Sequence, residues 1–207
     1  AQRNRYYLDW YGTRFRGVMN SLKLSLALGD YPTLTRTRLQ APDEPAHVSP
    51  RRGLELSDAH PADFEGFARA LVPEALPTVY VEGFKELCDR VQRNMFPKKP
   101  KAIFSTVGLY YDEVFKAWVA QQVDEGTPLI VGQHGGEYGT GLFSHGERHE
   151  LSVSDRFLTW GWESACGRAL PGPALMLVNA REGRWNQLGR IAIICTMAAR
   201  YSTNLNP

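Results

Sequence analysis

The residues with the most chemical potential lie in 128–141, Pro-Leu-Ile-Val-Gly-Gln-His-Gly-Gly-Glu-Tyr-Gly-Thr-Gly. Leu129, Ile130 and Val131 form a short apolar run that reads as a buried strand. It stops at once in a loop with four glycines, Gly135, Gly136, Gly139 and Gly141. Gln133 and His134 stand at the strand's carboxyl end, where an open α/β sheet places its ligands. Glycines there let the backbone take positive φ and let a ligand approach bare amides. A histidine in that position can act as general base on a hydroxyl, because its ordinary pKa lies near neutrality. The plainer reading is a histidine that only caps its loop by hydrogen bonding. Glu137 can orient His134, hold a substrate hydroxyl, or be plain surface.

A second group is His145-Gly-Glu-Arg-His149, two histidines four apart. The zincin pattern needs Glu directly after the first His, and Gly146 is a poor helix residue. With His134 there are three histidines within 16 residues, so a metal-dependent hydrolase built on His134, His145 and His149 is one alternative. His149 and Glu150 can instead hydrogen-bond a polyhydroxyl or phosphate ligand. The glycines make no G-x-G-x-x-G in register. There is also no P-loop G-K-[ST] and no G-x-S-x-G elbow, which removes the common nucleotide-fold and hydrolase explanations. Asp155 and Arg156 read as an ion pair at an element's end. Trp160 and Trp162 alternate around Gly161, a spacing that points both at one sheet face, where they would stack on sugar or fill the core. Arg200 follows the last strand-like run, where an arginine can meet a phosphate.

The elements that must position these groups follow from periodicity. Residues 101–106 read as a strand, 111–125 as a helix and 129–133 as a strand. This is a β-α-β unit of ~30 residues, whose strands should be parallel. Tyr111, Val114, Phe115, Trp118, Val119 and Gln122 share one helical face, and Asp112 and Glu113 sit in its first turn, favoured by the helix dipole. Residues 143–154 are polar, 156–162 read as a third strand, and 164–184 are loop or helix. Upstream, 18–28 fit a helix with Val18, Met19, Leu22 and Leu26 on one face and Gly29 as the stop, although alternating leucines make a strand the competitor. Aromatics and Arg3, Arg5, Arg14 and Arg16 precede it, either as a solvated edge or as a base- or phosphate-binding mix. Residues 31–62, with five prolines, read as an irregular surface connection carrying His47 and His60. Helices are expected over 62–71, with Phe64, Phe67, Ala68 and Leu71 facing the core, and over 78–93, with Tyr80, Phe84, Leu87, Cys88 and Val91 as its stripe.

Composition bounds the rest. The 207 residues are 43% hydrophobic, enough for one sizeable core or one domain plus part of another. The net charge of +2, from 24 basic and 22 acidic residues, provides no field toward nucleic acid. Cys88, Cys166 and Cys195 are odd in number and far apart, which points to a reduced, cytoplasmic protein without a disulfide framework. No apolar run approaches the roughly 20 residues of a membrane span, and no signal peptide is recognisable. No Met opens the chain, and it stops just after the strand-like run 189–197, so a longer parent is expected. The domain reading is therefore α/β: a Rossmann-like parallel sheet with flanking helices over 1–170, a linker at 171–189, and the first strand of a second Rossmann-like domain at 190–207.

Gln133-His-Gly-Gly-Glu-Tyr-Gly139, then His149-Glu150 and Asp155-Arg-Phe-Leu-Thr-Trp-Gly-Trp162, resemble a family of transferases found in bacterial O-antigen and surface-polysaccharide gene clusters. Tyr80-x-Glu82-Gly-Phe-Lys85, Asp112-Glu-Val-Phe-Lys116 with Trp118, and Arg200-Tyr-Ser202 occur in the family's order. The resemblance implies a glycosyltransferase-like protein of the two-domain GT-B type, of which this chain is the acceptor-side half, with donor-site residues beyond Pro207. It implies a nucleotide-sugar donor, a glycan or lipid-linked acceptor, and a cytoplasmic location that leaves peripheral association with the membrane's inner face open. His134 would be the base. Gln133, Gly135, Gly136, Glu137, Tyr138, His149, Glu150 and Arg200 would bind substrate. Direct displacement of this kind needs no metal and no cofactor. The competing class is a non-catalytic sugar-binding or assembly module of a polysaccharide pathway.

Overall fold

A computed structural model describes residues 6–9, 15–29, 40–48, 51, 53–54, 63–94, 96–164, 167–174 and 189. Five short strands, β1 (Tyr6–Asp9), β2 (Ala102–Ser105), β3 (Leu129–Gly132), β4 (Arg156–Thr159) and β5 (Ala169–Pro171), form one parallel sheet in the order 1-2-3-4-5. Each new strand is added at the same edge, so all carboxyl ends lie along one rim. The helices among the described residues are α1 (Phe15–Ala27), α2 (Phe64–Ala75), α3 (Phe84–Arg93), the single turn α4 (Gly108–Tyr111), α5 (Glu113–Asp124) and α6 (His145–Val153). This is a Rossmann-like α/β fold.

The β2-α5-β3 unit is the expected one. Asp112 caps α5, its carboxylate accepting from Phe115 N at 2.8 Å, while Glu113 occupies the first turn. Val114, Phe115, Trp118 and Val119 then bury one face against Leu87 and Val91 of α3 and against Ile103, Leu129 and Val131 of the sheet. Each fully buried side chain of this kind contributes ~1.5–3 kcal/mol. Phe96 stacks on Trp118 with ring centroids 4.7 Å apart. Tyr111 does not join that face. It belongs to α4, a separate turn, and is exposed.

Other expectations shift. β1 and β5 are strands that the periodicity did not show. The 18–28 helix is real as α1, and Gly29 ends it at φ 68°. Leu26 is exposed, however, and Ser25 is buried. Helix α2 runs through Pro73 to Ala75 instead of stopping before it. Phe64 is 84% exposed, Phe67 and Leu71 are exposed too, and Gly66 and Pro73 are the buried positions. The 78–93 helix is interrupted, with a 3-10 turn at Thr78–Tyr80 and α3 starting after Gly83.

The connection before α2 is tied down where it is described. Arg51 is buried and makes a two-pronged pair with Glu82, at 2.7 and 2.9 Å, and also donates to Pro73 O at 2.8 Å. The pairing holds the Glu82 carboxyl down at about 2. The strand expected at 189–197, the linker, and the arginines at 3, 5 and 14 lie outside the described residues, apart from 171–174 and Gly189.

Candidate functional site

The rim of the sheet becomes a site because β3 ends at a glycine. A Cβ on Gly132 would lie 2.9 Å from the Phe104 ring and 3.1 Å from the Thr106 methyl, so any larger residue makes those side chains shift. Gln133 follows and turns inward. Its Nε2 donates to Gly135 O at 2.7 Å, and its Oε1 accepts from Trp160 N at 2.8 Å and Trp162 Nε1 at 3.0 Å. One buried amide thereby clamps the loop after β3 to the loop after β4. Trp162 curls back under its loop, with Gly161 at φ 106°, so it lies over Gly139 and does not continue a strand face. Gly139 itself has φ 73°. Its N–H donates to Glu147 Oε2 at 2.8 Å, which pins the loop to α6.

Helix α6 is therefore part of the site. Ser144 caps it by accepting from Glu147 N at 3.2 Å, and Ser144-x-x-Glu147 has the spacing of a capping box. The Glu147 carboxylate reaches across to Gly139. One turn further on, Glu150 points inward and is only 1% exposed.

His134 sits over this carboxyl group. Its Nδ1 is 3.5 Å from Glu150 Oε1, and its side chain is 24% exposed. Tyr110 of α4 and Tyr138 hold the imidazole between them, each ring edge-on with centroids 5.4 Å away. The Tyr138 hydroxyl lies 3.1 Å from Nδ1 and 3.3 Å from Nε2, close enough to serve either nitrogen. The other face of Tyr138 packs on Phe157 of β4, centroids 5.6 Å apart. Neither Glu150 oxygen has a hydrogen bond of ordinary geometry.

Burial sets the charges. It lowers the His134 pKa below its usual value, against a smaller upward pull from Glu137. Burial also pushes Glu150 up to about 7, with the Tyr138 and Tyr110 hydroxyls pulling it back and Glu137 adding to the rise. Tyr110 is raised to about 12 by burial and by the Glu150 charge, and Tyr138 is raised by the same causes. At neutral pH both phenols are protonated donors, the imidazole is neutral, and the Glu150 carboxyl is in mid-titration. The chemistry available is proton abstraction by a neutral, partly exposed imidazole that has a carboxyl group behind it.

The family model for LIC12162 family transferases matches residues 9–206. The chain belongs to this family. No curated protein and no solved structure matches it. Membership of this family makes the protein a transferase at the level of the reaction class.

The residues expected at the site separate into groups. Gln133, His134, Tyr138 and Glu150 are brought together, but Gln133 and Tyr138 are buried and engaged within the protein. Glu150, and not Glu137, is the carboxyl group at His134. Glu137 is exposed, and its backbone carbonyl takes Thr140 N at 3.2 Å. Gly135 and Gly136 do not have positive φ, and a Cβ on Gly136 would meet open space. His149 and His145 are both exposed on α6. No group of three or more His, Cys, Asp or Glu among the described residues could hold a metal ion, so His134, His145 and His149 do not form one. Asp155 does not pair with Arg156. Its carboxylate accepts from Leu129 N at 2.8 Å, joining α6's exit to β3. Arg200 lies outside the described residues.

Periodicity missed Tyr110 and Gly146. A Cβ on Gly146 would fall 2.8 Å from the Tyr110 hydroxyl, so the helical glycine is what lets that ring approach. A glycine inside a helix is a signal of close packing, but nothing local says which ring approaches it.

Proposed function

We propose that this transferase moves a sugar from a nucleotide-activated donor to a hydroxyl of a glycan or lipid-linked acceptor in surface-polysaccharide assembly, with His134 as general base. The observation that carries this reading is the neutral imidazole at the carboxyl end of β3, partly open to solvent and backed by Glu150. His134 takes the acceptor proton as the acceptor oxygen attacks the anomeric carbon and the nucleotide phosphate leaves. The bare amides of Gly135 and Gly136 and the exposed Glu137 lie beside it for substrate contacts. Arg200 is assigned to the leaving phosphate on its sequence position alone. On this reading the chain is the acceptor-side part of a GT-B-type protein that works at the inner face of the cytoplasmic membrane without a metal. No helix among the described residues is long and apolar enough to cross a membrane.

The test is nucleotide release by the protein from a panel of sugar nucleotides, with and without a lipid-linked glycan. Acceptor-dependent release from one donor, lost in His134→Ala, is the expected result. Release unchanged in His134→Ala removes the base. No release from any donor by folded protein leaves a sugar-binding module as the reading.

A further inference from the structure

The geometry points to Glu150 as the positioning residue for His134: the buried carboxyl group sets the imidazole's orientation and protonation, and only its ionised form supports the base. This rests on the reading of His134 above. A carboxyl group with 1% exposure, whose oxygens have the Tyr110 and Tyr138 hydroxyls near them but no hydrogen bond of ordinary geometry, is a costly thing to bury. Its place in the fold is nonetheless fixed from several directions. Helix α6 is capped at Ser144, bound to the glycine loop through Glu147 and Gly139, and closed at its other end by Ser154 Oγ, which donates to Glu150 O at 2.6 Å. The loop carrying His134 is clamped by Gln133. The 3.5 Å between Nδ1 and Oε1 is therefore set by two anchored elements and needs less than an ångström of closure to become a hydrogen bond.

The chemistry explains why a carboxylate belongs there. With Nδ1 turned to Glu150, Nε2 is left for the acceptor hydroxyl. As the acceptor O–H breaks, its proton goes to Nε2. The acceptor oxygen forms the new bond to the anomeric carbon, and the old carbon–oxygen bond breaks with its electron pair on the nucleotide phosphate. The imidazolium that forms is buried on three sides and needs a counter-charge, which ionised Glu150 supplies and protonated Glu150 does not. Among the described residues, the other groups facing the pair are Tyr110 from α4, and Tyr138 and Glu137 from the loop. Both phenols stay neutral through this range, and Glu137 is an exposed carboxylate. Glu147 is taken up by Gly139 N. Among the described residues, Glu150 is thus the group facing His134 that changes charge near neutrality.

The experiment follows the His134 imidazole signal by NMR between pH 4.5 and 9 without substrate, in wild type and Glu150→Gln, alongside kcat/KM for transfer. In the wild type the signal should move in two steps, one from the imidazole and one near pH 7 from its neighbour. In Glu150→Gln the second step should vanish. The acid limb of kcat/KM should change from a two-proton to a one-proton dependence, and kcat should fall about tenfold or more with little change in KM. A single-step His134 titration in the wild type overturns the proposal without any variant, and so does an unchanged two-step titration in Glu150→Gln. Both readouts are independent of turnover, so they stand apart from the His134→Ala result that would remove the base.

Discussion

Replacing Glu150 with Gln should flatten the pH dependence of stability between about pH 5 and 8. Burial raises the carboxyl pKa from 4.5 to about 7 in the folded chain, whereas in the unfolded chain it titrates at its ordinary value. Between those two values the folded state holds a proton that the unfolded state has released, so stability falls as pH rises. The contribution is fully present below the unfolded pKa and is gone once pH has passed the folded one. At 1.36 kcal/mol per pKa unit the shift corresponds to about 3 kcal/mol. Water reaching the pocket past the partly exposed His134 reduces this to about 2 kcal/mol. The assay is urea unfolding at pH 5 and pH 8.5 for both proteins, read as midpoint and slope. The wild type should lose about 2 kcal/mol more than Glu150→Gln on going to the higher pH. The amide's own unpaired groups cost the same at both pH values and cancel. Parallel losses in the two proteins would show that the Glu150 carboxyl titrates normally, and that its burial is relieved by water or motion.

Gly146→Ala should separate stability from activity. Alanine improves the helix by about 1 kcal/mol, while its Cβ displaces the Tyr110 hydroxyl that it would meet at 2.8 Å. Thermal unfolding should move up or stay level while transfer drops about tenfold. Gln133→Ala removes the clamp and leaves Trp160 N and Trp162 Nε1 without their acceptor. It should cost about 2–4 kcal/mol in urea unfolding and raise the exchange of the amides of 133–141 with solvent.

The sequence by itself located the central unit and the group at its rim. A helix of twelve residues between two apolar strands announces itself, because 3.6-residue periodicity is a local property. A histidine just after the second strand must then lie at the carboxyl edge of a parallel sheet. Helix α6 was not legible in this way: the sequence reads 143–154 only as polar, and the capping spacing of Ser144 and Glu147 shows its meaning once the helix is seen.

Tertiary structure decided what meets that histidine and what covers each apolar face. Glu150 reaches His134 from sixteen residues away only because α6 folds back over β3 and β4. Glu137, the same residue type and nearer in sequence, is exposed. Tyr110 joins the pair because Gly146 has no side chain to keep it out. The same division explains the misplaced faces. The pattern of Phe64, Phe67 and Leu71 reports that α2 has an apolar stripe, and that of Val114 and Trp118 reports the same for α5. Periodicity records that a stripe exists, but burial depends on which distant element packs against it, and among these stripes only α5's is packed between α3 and the sheet.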